Sequence, residues 1–227
     1  EVALTLVLLA GAGFMMRSFL VLYQADLGFN SAPLLTMRLY LPLTKYPTAD
    51  SREKVLERIE ERLSAVSAWQ SAAITSNPPA FGGFLRQLAF DGRPDDAEHR
   101  PEVTMVSVSN GYFDTLGVKV AQGRTFNRDD GLPGHESAIV NQRFLAMHFK
   151  GEDPMGRRIT LYDPTPSGAL QSPPKTVTIV GIVPSVRQRN FQERDPDPVV
   201  YLPSRTDPQR IATLIVRVPG DPASVAA

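Results

Sequence analysis

Hydrophobic and polar positions follow two different patterns along this chain, and the change comes near Tyr23. From Val2 to Met16 the run VALTLVLLAGAGFMM carries no charge, and its Leu, Val and Phe residues fall on every side of a helix rather than along one stripe. Arg17 interrupts the run, and Ser18–Tyr23 stays mostly apolar. A secretory signal would carry its basic residue before the apolar run and a small-residue cleavage site after it; here the basic residue follows and no A-x-A site appears. A buried core helix would normally leave one face polar. The reading that fits is part of a transmembrane helix whose beginning lies upstream of Glu1. Ala10–Gly13 would let a neighbouring helix approach, Arg17 would snorkel to the headgroups, and Tyr23 would mark the wet end.

Beyond Tyr23 the pattern becomes that of a folded aqueous domain. Leu34–Leu41 reads as a strand stopped by Pro42. An amphipathic helix follows, with Asp50 and Glu53 at capping-box spacing. Val55, Ile59, Leu63 and Val66 form its apolar face, and Glu57, Arg58, Glu60, Glu61 and Arg62 lie opposite. Ser71–Ser76 reads as a second strand. From Gly82 to Pro203 the texture is short β-rich runs, at Gln87–Phe90, Val103–Val108, Ala138–Val140, Arg158–Leu161, Thr176–Val183 and Val199–Leu202. Two short helical stretches, Tyr112–Leu116 and Gln142–His148, sit among them. Asp163–Pro174, with four prolines, reads as a loop. Ala212–Val218 is a last strand, and Gly220–Asp221–Pro222 gives the start signal of a further helix. The fold class is therefore α+β: a split strand–helix–strand subdomain with a β-rich insertion, preceded by part of a transmembrane helix. The boundaries are 1–23 for the helix and stalk, 24–81 for the first half of the split unit, 82–205 for the insertion, and 206–227 for the second half.

Composition narrows the functional classes. Basic and acidic residues balance at 24 each, which gives no support to a general nucleic-acid binder. The chain contains no cysteine, which removes disulfides, thiolate zinc sites and cysteine nucleophiles. Its 20 prolines, roughly 9% against a usual ~5%, imply many turns and irregular connections.

Candidate chemistry is sparse. Gly151–Arg158 imitates the glycine spacing of a phosphate-binding loop but lacks its lysine and hydroxyl residue, and a helix precedes it; a glycine turn is the better reading. Asn127, Asp129, Asp130 and Glu136 cluster beside Gly131, but an EF-hand frame puts Phe126 and Arg128 at ligand positions, so a solvated turn is expected. His99, His135 and His148 have no metal-site spacing, and Ser137 beside His135 and Glu136 is mere adjacency. Asp95 and Asp96 sit in a polar stretch that reads as exposed and unperturbed. Tyr112–Gly117 reads as packing closed by a glycine cap rather than as a ligand box. No catalytic, cofactor-binding or metal-binding residue is assigned, and the expectation is a domain that is not an enzyme.

Several motifs in order resemble one family. They are LTLVLLAGAGFMMRSF at the start, NGYFDTLGVKVAQGRTF from Asn110 to Phe126, AIVNQRFLAMHFKGEDPMGRRI from Ala138 to Ile159, TIVGIVPSVR from Thr178 to Arg187, and VYLP from Val200 to Pro203. Together they resemble the macrolide-exporter-like (MacB-like) permeases of ABC transporters, in their periplasmic core domain. The GEDPMGRR turn is similar to that of large permeases carrying two such halves in one chain.

The resemblance implies a split porter-like unit with a β-rich insertion, held in the periplasm by a helix in the bacterial inner membrane. It implies a separate ABC ATPase subunit, lipid around residues 2–20, a permease dimer or a two-half single chain, and a periplasmic substrate or adaptor, with no cofactor and no nucleic acid. The function it implies is coupling of cytoplasmic ATP hydrolysis to export by mechanotransmission. Lipoprotein release by the same superfamily, or an extracytoplasmic sensory module of a receptor, are the alternative readings.

Overall fold

The structure is a computed structural model and describes residues 2–23, 27–31, 33–163, 173–189 and 195–220. Helix α1, Val2–Tyr23, runs for 22 residues. At ~1.5 Å per residue it is about 33 Å long, enough to cross a bilayer core of ~30 Å. None of its Val2–Leu20 stretch is buried against the rest of the protein. An all-round apolar helix left bare in this way is a candidate membrane span, as its pattern suggests.

Strands β1 (Leu34–Tyr40), β2 (Ser71–Thr75) and β10 (Ile211–Arg217) form an antiparallel sheet with β10 in the centre. Helix α2, Ala49–Ser64, covers one face. Its cap differs from the expected Asp50/Glu53 box: Thr48 is the N-cap, and it exchanges side-chain and backbone hydrogen bonds with Ser51. The hydroxyl pair one turn apart supplies the reciprocal geometry, leaving Asp50 to pair with Lys54 at 2.9 Å. The apolar face is also shifted. It centres on Leu56, the buried residue of the helix, which packs with Leu41, Ile74, Ala212 and Leu214; Val55, Ile59 and Leu63 flank it, and Val66 lies past the helix end and is exposed.

The strands between Phe84 and Pro203 close a ring. In order around it stand β4 (Glu102–Val108), β3 (Phe84–Phe90), β7 (Arg158–Tyr162), β8 (Lys175–Val183), β6 (Ser137–Asn141) and β9 (Val199–Pro203), which returns to β4. Closure removes the free edges such short strands would otherwise expose. Alternation divides the side chains: Val200 and Leu202 of β9 point into the barrel, while Val199 and Tyr201 point out. Val180 of β8 has no opposite number on β6, since Ala138 faces Ile179 and Ile139 faces Gly181. That bulge shifts the alternation so that Ile179 and Ile182 both enter the barrel core.

Sheet and barrel share a third core. Ala73 and Ile215 from the sheet meet Val106, Val108 and Tyr201 from the barrel wall, with helix α3, Tyr112–Leu116, wedged between them. One β2–β4 pair, Thr75 with Val108, continues the ladder across the joint. Ser76 and Ser109 reinforce it: their hydroxyls accept from Ser107 N and Ile74 N at 3.0 and 2.9 Å. Helix α4, Gln142–His148, closes one end of the barrel with Phe144 inside. The short strand β5, Gln122–Gly123, lies against β8. The helix expected after Gly220 and most of the Asp163–Pro174 loop fall outside the described residues.

Candidate functional site

An open groove of about 530 Å³ lies between sheet and barrel. One wall is Glu57, Glu60 and Glu61, from the face of α2 that the sequence places opposite its apolar stripe, together with Glu53. The other wall comes from the turn carrying Asn127, Arg128 and Asp130 and from Pro203–Arg205, at the end of β9 and just past it. So the acidic face is not simply solvated. It is turned towards the barrel.

Arg205 fastens the two walls. Its Nε donates to Glu53 at 2.9 Å and to Glu57 at 3.2 Å, its second terminal nitrogen also donates to Glu57, and Nη1 reaches the Arg128 carbonyl at 2.8 Å. Burial raises the Glu53 carboxyl above its ordinary pKa, with Glu57 adding repulsion and Arg205 opposing both. Burial likewise raises Glu60, against the lowering effect of a hydrogen bond with the Asn110 backbone. An acid held this way favours its protonated form more than a free glutamate does.

The sequence-derived candidates separate. Asp130, expected in a solvated turn, is buried. It accepts a two-pronged pair from Arg124 at 2.5 and 2.9 Å and the Asn127 N–H at 2.7 Å. Burial alone would raise its pKa, but the hydrogen bonds from Arg124 and the Asn127 backbone outweigh it and hold the carboxyl low. Asn127 Oδ1 meanwhile accepts from the Asp129 and Asp130 backbones. The cluster is a self-satisfied turn.

Asp95 is exposed but not unperturbed, because Arg100 grips it at 2.8 and 2.6 Å and lowers it. Asp96 pairs with His99 at 2.8 Å. His148 stacks on Phe144 and Phe90 at 4.9 and 5.3 Å in the barrel end, and Ser137 Oγ donates to the His135 carbonyl. Among the described residues no group of three or more His, Asp or Glu converges as metal ligands. Gly151 and Gly156 both take positive φ, 96° and 73°, in the turn from α4 to β7. Gly117 caps α3 in the left-handed region at 69°, behind the buried Tyr112 and Phe113.

Three side chains that matter here were not singled out by sequence reasoning. Arg205 gave no signal, since an arginine in the polar run SRTDPQR looks solvated. Arg217, a lone charge inside the apolar strand LIVRV, did give one. Gln188 is fully buried, and its Nε2 donates to the Asn77, Pro78 and Gly82 carbonyls at 3.1, 3.1 and 2.6 Å, pinning the loop after β2.

Comparison with known proteins supplies the identity that this geometry lacks. No curated protein sequence matches the chain. Among solved structures, the periplasmic region of MacB from Actinobacillus actinomycetemcomitans superposes with a TM-score of 0.52 at 16% identity, covering 90% of this chain and 83% of that one. The extracellular domain of the noncanonic ABC-type transporter YknZ from Gram-positive bacteria gives 0.46 at 16% identity, covering 82% and 84%. The first likeness shows the fold, with its sheet-rich core. The family model described as the MacB-like periplasmic core domain matches residues 3–227. The chain thus belongs to the MacB-like periplasmic core domain family: it is the periplasmic domain of an ABC transporter permease, a family that works with an ATPase partner.

Proposed function

We propose that this domain converts ATP-driven movement of its membrane helix into work on a periplasmic substrate, by mechanotransmission rather than by catalysis. The observation that carries the reading is the pairing of a bare apolar helix α1 with a body whose sheet and barrel share one core. A helix that moves in the membrane then has a stiff object to move. Glu53 and Glu57 are engaged by Arg205 and Asp130 by Arg124, which suits a structural joint better than an active centre.

In this reading α1 sits in the bacterial inner membrane with lipid around residues 2–20. A separate ABC ATPase drives it, and a second permease copy or second half completes the assembly. The domain then acts on an exported substrate or meets an adaptor in the periplasm. The test is the full-length permease with its ATPase in lipid nanodiscs, carrying a spin label at Glu98→Cys on the exposed surface. Addition of ATP shifts the distance between labelled domains, and an ATPase unable to hydrolyse ATP abolishes the shift. Distances that ignore ATP would overturn the proposal.

A further inference from the structure

Residues 27–31, four positions past the end of α1, form a strap across the body of the domain. Leu27 O accepts from Arg187 N at 3.3 Å. Gly28, at φ 74°, runs so close to the backbone beyond β8 that a Cβ would stand 2.5 Å from the Ser185 carbonyl oxygen. Phe29 packs on the shared core, and Asn30 N donates to Leu116 O at 3.0 Å at the end of α3. Downstream, Pro33 O accepts from Val218 N at 3.3 Å.

Arg217 stands at the centre of this arrangement. It is the only charged residue of β10 and is buried. A buried guanidinium is costly unless its donors are used. Its Nε donates to Thr115 O at 2.9 Å, taking up a carbonyl of the last turn of α3, and its Nη2 donates to Asn30 O at 2.7 Å. One side chain therefore joins the strap, the sheet and the helix that follows barrel strand β4.

We propose that Arg217 is a positioning residue that ties the segment leaving α1 to α3 and β10 together, so that displacement of the helix reaches sheet and barrel as one movement. The proposal rests on the mechanotransmission reading. A lysine cannot replace the fork, because a single ammonium lacks the planar reach to two carbonyls.

Hydrogen exchange by mass spectrometry on the full-length permease with its ATPase in nanodiscs tests it. Arg217→Gln raises exchange of the 27–31 amides roughly 100-fold, the scale expected for losing two charge-assisted bonds, while the barrel ladders keep wild-type protection. Arg217→Lys falls between. ATP hydrolysis continues in Arg217→Gln, but the ATP-dependent shift of the domain is lost. Unchanged strap exchange would overturn the proposal, and so would a loosened strap with an undiminished ATP response. Should Arg217→Gln fail to fold, Arg217→Lys against wild type decides by the same two readouts. A wild-type domain that does not respond to ATP defeats the mechanotransmission reading instead, and strap exchange still judges the tie.

Discussion

Gly123 stands opposite Gly181 in the ladder between β5 and β8, and neither position has room for a side chain. A Cβ on Gly123 would lie 2.3 Å from the Val180 carbonyl oxygen, and one on Gly181 would lie 2.2 Å from that of Arg124. Both obstacles are backbone atoms, which cannot swing aside as a side chain does. The pair lets the 121–124 segment lie flat on the barrel beside the β8 bulge, where Ala121 N and Arg124 N bond to the Ile182 and Val180 carbonyls. Gly181→Ala is expected to cost about 2–4 kcal/mol, the scale of forced backbone displacement. Urea unfolding of the variant would show a lower midpoint at unchanged slope.

Arg205 and Glu57 give a second test. Both side chains are partly exposed, 27% and 42%, so solvent screening limits their pair to about 1 kcal/mol of coupling. A double-mutant cycle of Arg205→Ala with Glu57→Gln is expected to return that value. Arg205→Ala alone should cost more than the coupling, because Glu53 and Glu57 are then left facing each other without their shared cation. The loss should also shrink in high salt for the exposed pair.

Glu60 predicts an opposite sign. Burial is the largest influence raising its carboxyl above 4.5, and repulsion from Glu57 adds to it. For an acid raised in the folded state, the stabilising share is present below the unfolded pKa and is lost as pH rises through the folded one. Glu60→Gln keeps an oxygen to accept from the Asn110 backbone and removes the charge. The variant is expected to unfold at higher urea than wild type at neutral pH. The difference should shrink as pH falls and be gone below the unfolded glutamate range.

How far the sequence discloses this architecture depends on the range of the forces involved. Ala49–Ser64 and Tyr112–Leu116 are short-range signals, and there the period pointed to helices that form, although the cap of the first is the Thr48/Ser51 pair rather than Asp50 with Glu53. The strands from Val103 to Leu202 were also legible as apolar runs. What could not be read was which strand pairs with which: closure of β9 onto β4 joins Val106 to Tyr201 across some 95 positions, and no local pattern encodes that. The groove was hidden for the same reason. Glu53 and Glu57 look solvated until the chain returns 148 to 152 positions later with Arg205. Arg217 was visible as an anomaly, a charge in an apolar strand, but its partners Asn30 and Thr115 belong to the tertiary fold.

His148 offers a pH dependence of its own. Its ring sits in the barrel end against Phe144 and Phe90, with Nε2 buried and without a hydrogen-bond partner. Burial disfavours its charged form and lowers its pKa below 6.5, and the nearby Arg93 cation adds to the effect. Arg93 is held there by its own bond to the His148 carbonyl at 2.8 Å and by Glu152 at 3.0 Å, so it does not leave when the imidazole gains a proton. A base with a depressed folded pKa contributes stability that is complete above its unfolded value and is lost as pH falls through the folded one. Wild type should therefore lose stability from about pH 6.5 downwards, before most carboxylates titrate. His148→Phe fills the same aromatic slot and leaves no unpartnered nitrogen, so it should escape this loss across that window. Urea midpoints of the two proteins measured between about pH 7 and pH 5 would diverge as the solution is acidified; parallel curves would mean that the imidazole is not the group responsible.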